Sequence, residues 1–359
     1  MAPFMLLASS VLLFFTLVIP NPTKESAVKL NPLGNTLQRL LTKLLVPAAF
    51  ALGALSAQAA PPLKVGFSDW PGWTAWQVAI EKGWFKEAGV DVKFEWFDYS
   101  ASMDAFAAGK LDAVTMTNGD ALVTGSGGAK SVIVMVNDFS NGNDQIIAKP
   151  GIKSIKDLKG KKVAVEVGLV DHLLLVNALK KAGLKESDVT LVNAKTNELP
   201  QVFTAPDIAA IGVWQPIAGE ALKAVPGSKA IYTSADEPGL IYDVLAVNPA
   251  TAKARKADWE KIVKVWGKVV AYLKDPKTHA DAVKIMAARS GVTPAEYETF
   301  VNGTNFLTLE ESAKVYVKAD GFKSLYGSTK FVNDFNLANK VYPKGEKVDS
   351  YIDASFYPK

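Results

Sequence analysis

The chain contains no cysteine. That excludes disulfides, thiolate zinc sites and cysteine nucleophiles. Histidine is scarce as well, with His172 and His279 the whole supply, far apart in the sequence. No HExxH, cysteine cluster or EF-hand loop is present, so neither a metal nor another cofactor is expected. No G-x-S-x-G or P-loop occurs, and no Ser-x-x-Lys follows residue 60. Gly125-Ser126-Gly127-Gly128 lacks the Lys-Ser/Thr of a phosphate loop and reads as a turn. A paired-carboxylate hydrolase is not excluded by these absences. After residue 60, arginine occurs at Arg255 and Arg289 alone. The net charge of +4 is spread over 359 residues without a basic block, which argues against nucleic acid as a partner.

What is present is an ordinary globular composition, 49% hydrophobic and 21% charged, long enough for two domains. Residues 39–60, RLLTKLLVPAAFALGALSAQAA, have the form of a secretory signal. Arg39 and Lys43 supply the basic flank, Leu44–Leu55 the apolar run, and Ala57-Gln58-Ala59 the cleavage pattern. That run is shorter than the roughly 20 residues of a membrane span. Residues 1–20 are a longer apolar run with no basic residue before it. They read either as a membrane anchor or as sequence upstream of the true start. The expected location is the periplasm.

From Lys64 onward, short apolar runs alternate with amphipathic stretches. Strands are predicted at Lys64–Phe67, Val92–Phe97, Ala113–Met116, Val132–Val136, Gln145–Ala148, Lys162–Val167, Val189–Val192, Ala209–Val213 and Leu240–Val247. Helices are predicted at Thr74–Glu87, Ser102–Ala108 and Asp171–Lys181, and near the C-terminus at Trp259–Leu273, Ala280–Ala288, Pro294–Val301 and Glu310–Lys318. This order implies βαβ units and a mostly parallel sheet. It suggests an α/β chain of two Rossmann-like lobes. Lobe one takes residues 63–147 and 248–359, and lobe two takes 148–247. Crossings near Ala148 and Val247 form the hinge, and the polar and aromatic stretch from Tyr342 lies on the surface. In such sheets ligands sit beyond the carboxyl ends of the strands.

KGWFKEAGVDV (82–92), GKLDAVTMTNGDA (109–121), SIKDLKGKKVAVEVG (154–168) and VWQP (213–216), in this order and spacing, resemble the periplasmic solute-binding proteins of ABC importers. The subgroup resembled is the nitrate/sulfonate/taurine and thiamine-precursor type. The resemblance implies a type II periplasmic binding protein fold with an interlobe cleft, a monomer, a small-molecule ligand and an ABC permease in the inner membrane. It implies no catalysis. A thiamine-precursor-related enzyme on the same fold is the alternative, although the relatives' cysteine is missing here. A secreted sensor partner is a third reading.

The resemblance also implies which loops meet the ligand. They carry Ser68, Asp69, Trp70 and Trp73; Asp98 and Tyr99; Thr117, Asn118 and Asp120; Asn137 and Asp138; Asn143 and Asp144; Glu166, Asp171 and His172; Trp214 and Gln215; Tyr242 and Asp243. The residues selected for ligand contact are Asp69, Trp70, Trp73, Asp98, Asp120, Asp144, Glu166, His172, Trp214 and Asp243. Each has a structural alternative. Asp69, Asp120 or Asp171 could cap a helix. Trp73 could join the core, where Trp76, Trp84 and Trp96 are expected. Glu166 could belong to a buried hydrogen-bond network, His172 could be structural, and Asp144 and Asp243 could brace the hinge. The set is rich in carboxylates and holds no arginine, the side chain whose fork matches sulfonate, nitrate or carboxylate oxygens. Carboxylates beside tryptophan faces suit a cation. The expected ligand is therefore a small nitrogen-rich cation of the guanidinium kind, with nitrate, taurine or an alkanesulfonate as the alternative.

Overall fold

The structure, a computed structural model, describes residues 60–358. Pro61–Lys359 is a compact unit of its own. The signal and anchor readings fall on residues outside those described. Among the described residues, no helix is long and apolar enough to cross a membrane.

Eleven strands form two sheets. In chain order they are β1 (Leu63–Phe67), β2 (Val92–Trp96), β3 (Ala113–Thr117), β4 (Val132–Ser140), β5 (Asp144–Ala148), β6 (Lys162–Val165), β7 (Thr190–Asn193), β8 (Ile208–Trp214), β9 (Lys229–Thr233), β10 (Tyr242–Val247) and β11 (Thr304–Phe306). The first sheet has the order β11-β4-β10-β3-β1-β2, the second β7-β6-β8-β5-β9. β1 runs parallel to β2 and β3, and β6 runs parallel to β7 and β8. β10 is antiparallel to both of its neighbours, as is β5. β3, AVTMT, is buried along its whole length, as a strand covered on both faces must be.

The chain passes from the first sheet to the second between Ser140 and Asp144, and returns between Thr233 and Tyr242. The expected boundaries near 148 and 247 therefore move. β5 belongs to the second sheet and β10 to the middle of the first, where its backbone is hydrogen-bonded on both edges. The two crossings are tied together. The hydroxyls of Ser140 and Ser234 lie 2.6 Å apart, and the Gly142 N–H donates to Ser234 Oγ at 2.7 Å. Asn143 Nδ2 donates to the Phe300 carbonyl and to Thr304 Oγ1, both at 2.8 Å.

Other departures have local causes. The single helix expected over Thr74–Glu87 is three short ones, Pro71–Thr74, Trp76–Glu81 and Trp84–Glu87. Gly83, at φ 68°, breaks the last from the one before. β4 runs through Asn137 and Asp138 to Ser140, although the polar pair reads as a strand end. The tail expected on the surface is packed inward. Tyr351 and Phe356 are buried, and Ile352 bridges to Ile133 of β4. The helix Leu325–Ala338 was not predicted. It anchors on the first lobe where Asn118 Nδ2 donates to Ser328 Oγ and Thr329 Oγ1.

Trp76 is fully buried, as expected, against Trp266 at 4.7 Å and Phe94 at 5.2 Å between ring centroids. Trp84 is also buried, but Trp96 is 36% exposed. Its strand, β2, is the sheet edge, and the Arg289 guanidinium lies 3.9 Å above its ring. Truncating a fully buried tryptophan costs about 3–5 kcal/mol. Trp76→Ala is expected to lower the unfolding free energy by that amount in urea titrations. A loss below about 1 kcal/mol would contradict the packing described.

Candidate functional site

Ser68, Asp69 and Trp70 leave the carboxyl end of β1. Pro71 takes the first helical position of Pro71–Thr74, where its missing N–H costs nothing. That helix has no side-chain cap, so Asp69 is not a capping residue. Its carboxylate instead accepts from Trp214 Nε1, in the other lobe, at 3.4 Å. Trp70 turns inward, and its Nε1 donates to Asp138 Oδ1 at 3.0 Å. Trp73 stacks on Tyr99 with centroids 5.3 Å apart, and Tyr99 meets Trp214 edge to face at 5.2 Å. The aromatic chain thus crosses from one lobe to the other.

These rings line a small cavity of about 10 Å³ between the lobes. Trp70, Trp73, Tyr99 and Trp214 supply its walls, and Asp144 and Asp243 supply its carboxylates. A second small hollow, the outer one, of about 20 Å³ shares Tyr99 and Trp214 and carries Asp69, Asp98 and Glu166. Asn197 Nδ2 of lobe two donates to Asp98 Oδ2 across it at 3.2 Å. Larger hollows lie elsewhere, beside Phe85–Phe94 and between the helices Val170–Lys181 and Leu325–Ala338. Neither gathers aromatic faces and unpaired carboxylates as the interlobe cavity does.

Charge is the unusual feature of this cavity. Asp120, Asp138, Asp144, Asp171 and Asp243 are all buried, with at most 2% of their surface exposed. Other carboxylates act on Asp120, Asp138, Asp171 and Asp243. Burial pushes the carboxyls of Asp120, Asp138 and Asp144 up to about 7. It drives Asp171 and Asp243 well above the carboxylate range, with neighbouring acids adding to the effect. Asp69 keeps part of its surface in solvent yet is densely enclosed, and burial raises it to about 6. Asp144 Oδ2, Asp243 Oδ2, Asp138 Oδ2 and both oxygens of Asp171 have no hydrogen-bond partner in the protein. A buried carboxylate without a partner costs several kcal/mol.

The predicted residues fall into three groups. Trp70, Trp73, Trp214, Asp144 and Asp243 line the inner cavity. Asp69, Asp98 and Glu166 line the outer one. Glu166 lies one residue beyond β6, not inside it, and accepts from the Thr196 N–H at 3.1 Å and hydroxyl at 2.9 Å. Asp120 and His172 line neither. Asp120 stands behind Tyr99 and accepts its hydroxyl at 2.6 Å, while Thr117 caps the helix. His172 is a correction: Gly168 N–H donates to its Nδ1 at 3.2 Å, and its Nε2 lies 3.3 Å from Glu186, away from the cavity. Asp171 is another. It occupies the first turn of Val170–Lys181 and forms no cap hydrogen bond. Asn197 and Thr196 lay outside the expected loops. Asp138 and Tyr99 lay inside them, with nothing in the sequence to rank them above their neighbours.

Two α/β lobes crossed twice by the chain, with strand ends facing over an enclosed cavity, define the periplasmic binding protein fold. The alkanesulfonate-binding protein of Xanthomonas axonopodis pv. citri, solved bound to MOPS, matches this chain with a TM-score of 0.67 at 18% identity, over 82% of this chain and 99% of that one. A putative binding protein of Brucella abortus is 30% identical over 82% of this chain and 92% of its own length. The taurine-binding periplasmic protein of Escherichia coli is 24% identical, over 63% of this chain and 72% of its own. The NMT1/THI5-like family matches residues 70–266, and the chain belongs to that family.

A carboxyl whose folded value exceeds its unfolded value destabilises the fold progressively as pH rises between the two. For Asp144 that window runs from 3.8 to about 7. Asp144→Asn should therefore flatten the decline in melting temperature of the ligand-free protein between about pH 5 and pH 7.5. A variant whose thermal-shift profile has the wild-type slope would show that Asp144 does not titrate in this window.

Proposed function

We propose that the protein is the extracytoplasmic solute-binding component of an ABC importer, and that its ligand is a small planar cation bearing N–H donors, of the guanidinium or amidinium type. The observation that carries this reading is the unpartnered Asp144 Oδ2 beside the Asp243 carboxyl, both on one aromatic-lined cavity. A planar cation with N–H groups on opposite edges satisfies both at once, through charge-assisted hydrogen bonds. The tryptophan and tyrosine faces add about 0.5–2 kcal/mol of cation–π attraction. Because Asp144 begins a strand of one sheet and Asp243 lies in a strand of the other, the same ion would draw the lobes together. A quaternary ammonium ion would use the aromatic faces but leave both carboxylate oxygens bare.

The second reading is an anion, favoured by the names of relatives that bind taurine or alkanesulfonate. It has one local support, the buried Trp73 Nε1, which lacks an acceptor. Against it, an anion in the cavity would need Asp144 and Asp243 both protonated.

Isothermal titration with guanidinium at sub-denaturing concentration, acetamidine, tetramethylammonium, taurine and nitrate separates the two. Guanidinium or acetamidine is expected to bind, and Asp144→Asn to weaken that binding at least tenfold. Binding of taurine or nitrate, with silence from both planar cations, would overturn the proposal.

A further inference from the structure

Asp138 and Asp243 are register partners on the adjacent strands β4 and β10. As register partners on antiparallel neighbours they project from the same face of the sheet, and each acts on the other's titration. Each has an oxygen, Oδ2, with no donor from the protein. Two ionised carboxylates side by side repel and leave both oxygens unsatisfied. One proton between them satisfies both.

The surroundings are arranged for such a pair. Asp138 is fully buried, and its Oδ1 accepts from Trp70 Nε1 at 3.0 Å. Its other side abuts Gly72, where a methyl group would come within 1.9 Å of Oδ2. Pro71-Gly72 therefore leaves room for the carboxyl and no more. The charged groups that act on the pair are Asp144 from β5 and Asp120 from the helix Asn118–Ser126, and Tyr297 is the nearby phenol. None of these is a cation.

We infer that Asp138 and Asp243 form a proton-sharing acid pair carrying a single negative charge, in which Asp138 is a positioning residue that touches no ligand. Asp243 faces the cavity. Asp138 holds the Trp70 indole with one oxygen and the shared proton with the other. When a cation approaches Asp243, the proton moves from the Asp243 oxygen to the Asp138 oxygen. The full charge is then presented to the cavity, and no proton is exchanged with water. The pair thereby contributes one negative charge to the site where two ionised carboxylates would contribute two. The step involving the cation rests on the reading proposed above, whereas the shared proton does not.

Asp138→Asn separates these possibilities. The amide can accept from Trp70 and donate to Asp243, which keeps one negative charge in place. Guanidinium affinity measured by titration is expected to stay within about threefold of wild type in Asp138→Asn, and to fall at least thirtyfold in Asp243→Asn. A loss in Asp138→Asn as large as that in Asp243→Asn would mean two ionised carboxylates, and would overturn the inference. Infrared spectra of the ligand-free protein near pH 8.5 give a readout independent of any ligand. The carbonyl band of protonated carboxylic acid should lose intensity in both variants, and an unchanged band in Asp138→Asn would also overturn it. If the band behaves as expected but guanidinium does not bind wild type, the acid pair stands and the ligand reading falls.

Discussion

The structure turns on carboxyl groups buried where the chain changes sheets. Asp144 is the first residue of β5, directly after one crossing, and Asp243 is the second residue of β10, directly after the other. The topology that creates a cleft therefore brings acids from the two lobes together beneath it. Within a low-dielectric interior, like charges at such range repel by kilocalories. Burial accordingly raises these carboxyls toward their protonated form.

The walls are fixed by contacts that lie behind them. Tyr99 and Trp214 are the rings common to both hollows, and Tyr99 is held at its hydroxyl. Its hydroxyl donates to Asp120 and accepts from the Thr117 N–H at 3.0 Å, so the ring cannot rotate without stranding two buried polar groups. Trp70 is pinned by Asp138 in the same way. A site whose rings are held by second partners keeps its shape without the ligand, which lowers the ordering cost of binding.

Much of this was legible in the sequence, for definite reasons. The alternation of apolar runs and amphipathic stretches reports the βαβ layout, because strand and helix periods differ. Trp70, Trp214, Asp144 and Asp243 could be assigned to the cleft because strand ends in such sheets face the ligand. What was not legible depends on pairing across long sequence separations. Asp138 reads as a loop residue because polar side chains normally end a buried strand, and only its partners Trp70 and Asp243, 68 and more than a hundred residues away, explain its burial. The lobe boundaries were misplaced for the same reason: β5 and β10 are equally apolar in either sheet, and which sheet they join is decided by neighbours the local pattern cannot reveal. His172 was misassigned because its loop is right while its ring turns toward Glu186.

Relatives named for taurine and alkanesulfonate share the fold with a chain whose cleft is rich in carboxyl groups. On this fold an anion can be held by helix N-termini, whose free N–H groups and dipole favour negative charge. In this chain the helix Asn118–Ser126 carries Asp120 in its first turn, and Val170–Lys181 carries Asp171. Tyr99–Ala107 follows directly on Asp98. The helix ends that could cradle an anion at the cleft are thus already supplied with carboxylates by the protein itself. Under the cation reading proposed above, these acids stand where an anion would seek free N–H groups, and no arginine follows residue 60 except Arg255 and Arg289. A fold that delivers helix N-termini to a cleft can change the charge it selects by placing acids at those few positions, with the backbone architecture unaltered.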